Sequence, residues 1–215
     1  MGEALFGDNL SGASSNRIAL VKTPNEVLLA GPEGDVKQRW AAPGGDALFA
    51  FHADSTPALV FFPEGSSLAR VMEDRLEVVP VDTGRLGGTI VSVAAPDHEN
   101  AYLAVQRSEG TWLLKISTGN GDVLDERLLA GVAGRVHLLG DGGVLRGENG
   151  DLVWRAADGV ERRFPLAAEV VSYAPLGTAW IAIAARHEGA GGLTRYGLRL
   201  EAGREGLYQL PEVAR

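Results

Sequence analysis

Three times along a chain of 215 residues an arginine stands two positions ahead of a glutamate in a short glycine-containing segment: "RSEG", "RGENG" and "RHEG". The pairs are Arg107 with Glu109, Arg146 with Glu148 and Arg186 with Glu188. Guanidinium forks match carboxylates and phosphates in shape and charge. Three of them on one rim would form a binding surface for an acidic ligand or partner. The same spacing also suits tight hairpins in which arginine offsets the acid beside it, an exposed pairing that contributes about 0 to 1 kcal/mol. An earlier segment keeps only "PEG", with Glu64.

Other chemistry is sparser. The four histidines, His52, His98, His137 and His187, are scattered along the chain. "STGNGDVLDE" offers Asn120, Asp122 and Asp125 as oxygen donors, but without the spacing of a calcium-binding EF-hand loop, and it reads more simply as a hairpin turn. No G-x-S-x-G nucleophile elbow and no glycine-rich phosphate loop between a strand and a helix occurs. Cysteine is absent, which excludes disulfides, thiolate metal sites and a cysteine nucleophile.

Composition narrows the class further. Hydrophobic residues make up 45% and charged residues 22%, enough to bury a sizeable core. The net charge of −8 repels a phosphate backbone, so nucleic acid is not an expected partner. No apolar run approaches the roughly 20 residues of a membrane helix, so membrane insertion is not expected. The start "MGEALFGDNLSGASSNR" has neither a basic n-region nor an apolar h-region and is not read as a signal peptide. Compartment stays open, since a leader removed upstream would place the protein in a bacterial periplasm or outside the cell.

The elements that would position these residues are short strands. There are 29 glycines without a collagen period, as many tight turns require. Five hairpins recur: "EVLLAGPEGDVKQRW", "SLARVMEDRLEVVPV", "TWLLKISTGNGDVLDERLL", "DLVWRAADGVERRFPL" and "RYGLRLEAGREGLYQL". Their second strands begin near Val36, Leu76, Val123, Val160 and Gly206. The spacing is about 42 residues, within the range of propeller blades. Two apolar runs precede each of the last four hairpins, such as "TIVSVAA" and "AYLAVQ". Four strands per period, a to d, are the content of one β-propeller blade. The first period has a clear b strand in "RIALVK" and an a strand in "EALF". The a and b runs are almost wholly apolar, as strands covered on both faces should be. The d runs "VKQRW", "VLDERLL" and "VERRFPL" alternate charge with apolar residues, as a half-solvated outer edge should. The "DGG", "ENG" and "ADG" of residues 139–164 are then the three turns of one compact blade, and Asn120-Gly121 and Asn149-Gly150 are the strongest hairpin signals.

"LLKISTGNGDVLDERLL" resembles the c/d hairpin of bacterial propeller repeats of the quinoprotein and WD-repeat kind, with a "TGxGxV"-like turn between an apolar and a polar strand. No blade has the Gly-His and Trp-Asp pair of true WD repeats. The expected fold is an all-β propeller of about five four-stranded blades, at 1–45, 46–88, 89–134, 135–168 and 169–215, in a single domain spanning 1–215. An open arc of four blades or a β-sandwich is the alternative.

In that fold His52 and His98 fall in a/b loops on one face, His187 in a b/c loop on the other, and His137 on an innermost strand. The four do not converge, so no metal site is expected. His137 would line the central channel and titrate near neutrality. The Arg–Glu pairs share the b/c rim as an arc. The resemblance to small propellers brings in five-bladed glycosidases, which need paired carboxylates on inner strands. Only Asp46 and Glu169 stand at the starts of a strands, so no catalytic residue is assigned and no cofactor is expected. The leading expectation is a non-catalytic scaffold that binds a protein or a small acidic ligand. A lectin-like glycan-binding module is second. Against it, the a/b loops "HADSTP", "PDHEN", "GDGG" and "PLGT" are too varied for identical sites. A propeller hydrolase is third.

Overall fold

A computed structural model describes residues 12–15, 18–31, 33–52, 56–129, 136–139, 142–175, 180–189, 192–201 and 204–210. The described strands form five four-stranded antiparallel sheets, each built from four consecutive strands. The first holds β1 (Gly12–Ser15), β2 (Ile18–Lys22), β3 (Glu26–Ala30) and β4 (Val36–Ala41). The second holds β5 (Leu48–Phe51), β6 (Pro57–Phe62), β7 (Ser67–Val71) and β8 (Leu76–Val78), followed by one 3-10 turn at Thr83–Leu86. The third comprises β9 (Thr89–Ala94), β10 (Asn100–Arg107), β11 (Gly110–Ser117) and β12 (Val123–Leu129). The fourth comprises β13 (Val136–Leu138), β14 (Val144–Glu148), β15 (Asp151–Arg155) and β16 (Glu161–Pro165). The fifth is β17 (Glu169–Pro175), β18 (Trp180–Arg186), β19 (Thr194–Arg199) and β20 (Gly206–Gln209).

The innermost strands run around an axis. β1 lies beside β5, β5 beside β9 and β9 beside β13, while β17 lies beside β14 and, across the seam, beside β1. The fold is a five-bladed β-propeller rather than a four-bladed arc or a sandwich. The innermost strand of the first blade is "GASS"; the segment "EALF" lies outside the described residues. Among the described residues no helix is long and apolar enough to cross a membrane.

The apolar runs do what their patterning dictates. Four clusters of buried side chains fill the spaces between successive blades, for example Leu59, Leu68, Ile90, Leu103 and Leu114 between blades two and three. In β6 every residue from Ala58 to Phe62 is buried, whereas β12 is exposed at Val123 through Glu126. Inner strands have a neighbouring blade on both faces; outer strands meet water.

The turns follow the glycines. Asn149 (φ 52°) and Gly150 (φ 83°) form a two-residue turn with both residues left-handed, as the right-handed twist of a hairpin requires. At Asn120-Gly121 the turn is longer than the dipeptide alone implies. The Ser117 and Gly121 amides bond to the Asp122 and Ser117 carbonyls, each at 2.9 Å, so residues 118–121 make the loop and only Gly121 is left-handed (φ 77°). Asn120 and Asp122, earlier weighed as calcium donors, bond to one another across it at 2.6 Å. A Cβ on Gly121 would stand 2.7 Å from the carbonyl carbon of Pro80, in the preceding blade. Gly121→Ala therefore adds a clash to left-handed strain of about 1 to 2 kcal/mol, and should cost more than that strain alone in urea unfolding. Gly119→Ala, with only the Ser117 hydroxyl within reach at 3.8 Å, should be near neutral. Equal midpoints for the two would remove the argument.

Candidate functional site

Antiparallel blades put the a/b and c/d turns on one rim of the ring and the b/c turns, with the links between blades, on the other. The sequence places the three Arg–Glu pairs on the b/c rim, and the structure shows what each arginine does there.

Arg107 ends β10. Its guanidinium forks onto both oxygens of Glu126 on β12 at 2.8 and 3.2 Å, donates from Nε to the Leu86 carbonyl at 2.7 Å and lies 4.8 Å from the centre of the Trp112 ring. The Glu126 carboxylate beside it raises its pKa further above the ordinary value, against a smaller opposing effect of burial. Glu109 is exposed; its oxygen accepts from the Ser108 hydroxyl at 2.9 Å.

Arg146, on β14, is 5% exposed. It donates to Glu148 at 3.0 Å and to Glu161 on β16 at 3.1 Å, and Arg163 reaches Glu148 at 3.1 Å, so charges alternate around a closed set. The hydrogen bond from Arg163 holds the Glu148 carboxyl below its ordinary range, with Arg146 adding to the effect.

Arg186 ends β18, exposed, opposite Glu169 in register, and makes no ion pair among the described residues; Glu188 is also exposed. The difference has a sequence cause. β12 and β16 each present a glutamate to the arginine two strands away, whereas β20, "GLYQ", has no carboxylate. Each Arg was expected beside the Glu two residues on, but in blade three the anchoring acid comes from the outer strand. On the same rim Glu64 and Asp46 attract the ammonium of Lys22, which is 2% exposed and donates to the Thr23 carbonyl; burial lowers its pKa against that attraction.

His137 lies on β13, the innermost strand of blade four, stacked on Tyr173 of β17 with ring centres 5.4 Å apart and planes 19° apart. Burial pushes its pKa down to about 4, so it stays neutral at pH 7 rather than titrating near neutrality. His187 bonds the Tyr196 hydroxyl at 2.7 Å and the Ala167 carbonyl at 3.2 Å.

The other two histidines meet. His52, in the a/b loop of blade two, and His98, in the a/b loop of blade three, stand with ring centres 4.1 Å apart and planes at 56°. They border a cleft of about 180 Å³ between the blades, floored by Ala58, Leu59 and Ala95 and flanked by Arg70, Asp97 and Thr118. The four histidines were not expected to converge, and as a set of four they do not; these two alone meet. The signal was that these two hold the same loop position in consecutive periods. Among the described residues no three of His, Asp and Glu are grouped to hold a metal ion.

Hydrogen bonds fix the walls. The Asp97 carboxylate accepts from the amides of Glu99 and Asn100 and from the Asn100 side chain at 2.7 to 2.9 Å. Burial alone would raise its pKa, but these bonds together outweigh it and the net shift is downward. The Thr118 hydroxyl donates to the His98 carbonyl at 2.9 Å, and Trp40 of blade one donates to the Met72 carbonyl at 3.1 Å. Arg70 pairs with Glu77 through one terminal nitrogen, while its Nε is buried with no acceptor among the described residues.

No family model and no curated protein matches the chain in sequence. Solved structures do match in fold. Hydrazine synthase of Kuenenia stuttgartiensis superposes with a TM-score of 0.56 at 13% identity, covering 98% of this chain and 69% of that one. A protein of unknown function from Bacteroides caccae gives 0.50 at 13% identity, covering 94% and 71%. A catalytically inactive virginiamycin B lyase from Staphylococcus aureus with quinupristin gives 0.50 at 11% identity, covering 83% and 62%. At these identities the likeness is one of fold alone.

Proposed function

We propose that the protein is a non-catalytic binding scaffold whose recognition surface is the a/b rim, centred on the cleft between blades two and three. The observation that carries this reading is the convergence of His52 and His98 from adjacent blades around a walled cavity. On the opposite rim Arg107 and Arg146 are already bound to acids of their own blades, which supports a structural role for most of the arc. Rigid blades that carry variable loops are suited to binding. The partner is a small ligand or a protein segment that enters the cleft.

A thermal-shift screen against sugars, polyanions, small carboxylates and divalent ions tests the assignment of the rim, because a ligand of the folded state raises the midpoint by mass action. The expected result is a concentration-dependent rise with one class in the wild type and in Arg186→Ala, absent in the His52→Ala/His98→Ala double variant. A rise that survives the double variant and disappears in Arg186→Ala would return recognition to the b/c rim.

A further inference from the structure

The geometry points to a small oxyanion, a carboxylate or a phosphate, as the ligand of the cleft; this rests on the cleft being the recognition site. The hydrogen-bonding groups already engaged around the cleft decide what it can take. Acceptors bordering the cavity have donors of their own: Asp97 from Asn100 and two amides, the His98 carbonyl from Thr118, the Met72 carbonyl from Trp40. Glu77, the acid paired with Arg70, is likewise occupied. The donors differ. Arg70 pairs with Glu77 through one terminal nitrogen and its Nε has no acceptor among the described residues, and the exposed His98 ring makes no hydrogen bond among them, touching only the ring of His52. Among the described residues the buried side-chain nitrogens without an acceptor on Trp112, Trp154, Arg155 and Arg199 do not border this cavity.

A buried donor without a partner is expensive to leave unmade, so the favourable guest is one that brings acceptors and needs few. A carboxylate or phosphate oxygen does this, and a charge-assisted bond to guanidinium is about twice as strong as a neutral one. Size agrees. A cavity of about 180 Å³ is smaller than the roughly 300 Å³ at which drug-sized sites begin, so the guest is a few heavy atoms. The apolar floor of Ala58, Leu59 and Ala95 suits the short carbon chain of a carboxylate. The negative charge of the whole protein opposes anions at long range, but salt near 0.15 M screens that field beyond about 8 Å.

The test is a titration of the full chain, with histidine ring signals followed by carbon-detected or proton–carbon NMR at constant pH and ionic strength. The probes are acetate, inorganic phosphate and, as an uncharged isostere, acetamide. We expect saturable shifts of the His52 and His98 signals with acetate or phosphate, His137 and His187 unmoved, and at least a 10-fold weaker response to acetamide. Whichever of acetate and phosphate saturates at the lower concentration identifies the anion. Arg70→Lys, which retains the charge but removes Nε, should weaken binding about 10-fold. His98→Ala, at an exposed position, should weaken it at least 5-fold with an unchanged melting midpoint. Acetamide saturating as readily as acetate would overturn the oxyanion assignment while leaving the cleft as the site. Linear shifts of equal size at all four histidines, or none at all, would overturn both.

Discussion

Arg146→Ala should lower the melting midpoint by about 6 to 12 °C, the equivalent of roughly 3 kcal/mol in a domain of this size. The side chain is almost wholly enclosed and bridges Glu148 and Glu161. Its removal leaves two carboxylates facing each other with Arg163 as the remaining cation, 3.1 Å from one and 3.9 Å from the other. Deleting the enclosed member is costly because Glu148, the least exposed of its partners, keeps the desolvation it suffered on folding. Arg186→Ala supplies the contrast: exposed and unpaired among the described residues, it should change stability by no more than about 0.5 kcal/mol. Differential scanning calorimetry of both variants decides the matter. Equal midpoints would mean that the b/c rim is not held by its ion pairs and that the three arginines are equivalent after all.

The second large effect is a loss of stability in mild acid that is traceable to one ring. His137 has a pKa of about 4 in the folded protein against an ordinary 6.5. Between those values the unfolded chain takes up a proton that the folded chain refuses, so stability falls as the pH falls from about 6.5 to about 4 and then levels off. The full difference is at most about 3.4 kcal/mol, and hydration of this partly exposed ring reduces it to about 2 kcal/mol. Carboxylates held below their ordinary 4.5, such as Glu126 and Glu148, lose their contribution only at lower pH, which leaves the upper part of the window to the imidazole. His137→Phe preserves the stack on Tyr173 and removes the proton site. Urea midpoints at pH 7 and pH 5 should diverge for the wild type and converge for the variant. An unchanged divergence would place the acid sensitivity elsewhere.

The blades could be read from the chain because each turn carries its own chemistry. Four of the five outer strands begin where the hairpin signals put them, at Val36, Leu76, Val123 and Gly206, and the fifth begins one residue late, at Glu161. The innermost strand of the first blade escaped because "GASS" has none of the apolar content by which the other inner strands announce themselves. The charge pairs were half visible. Arg146 does bond Glu148 two residues on, but the further partners, Glu126 of Arg107 and Glu161 of Arg146, lie 19 and 15 residues away, and only strand register brings them near. The histidine cleft was hidden for the converse reason. Periodicity puts two loops on one rim, yet whether two side chains touch depends on the tilt between neighbouring blades, which a linear pattern does not carry.

Among the described residues every sheet is made of consecutive strands, and none combines strands from the two ends of the ring. The hydrogen-bonded ladders are therefore all local, while β1 meets β17 across roughly 155 positions of chain. Closing a loop of that length costs about 2 kcal/mol more entropy than closing a hairpin of about ten residues. Folding is accordingly expected to proceed blade upon blade, with the join between the fifth and the first made last. The ring is then a coil of stacked leaves whose expected place to open is that join, two blade boundaries away from the histidine cleft.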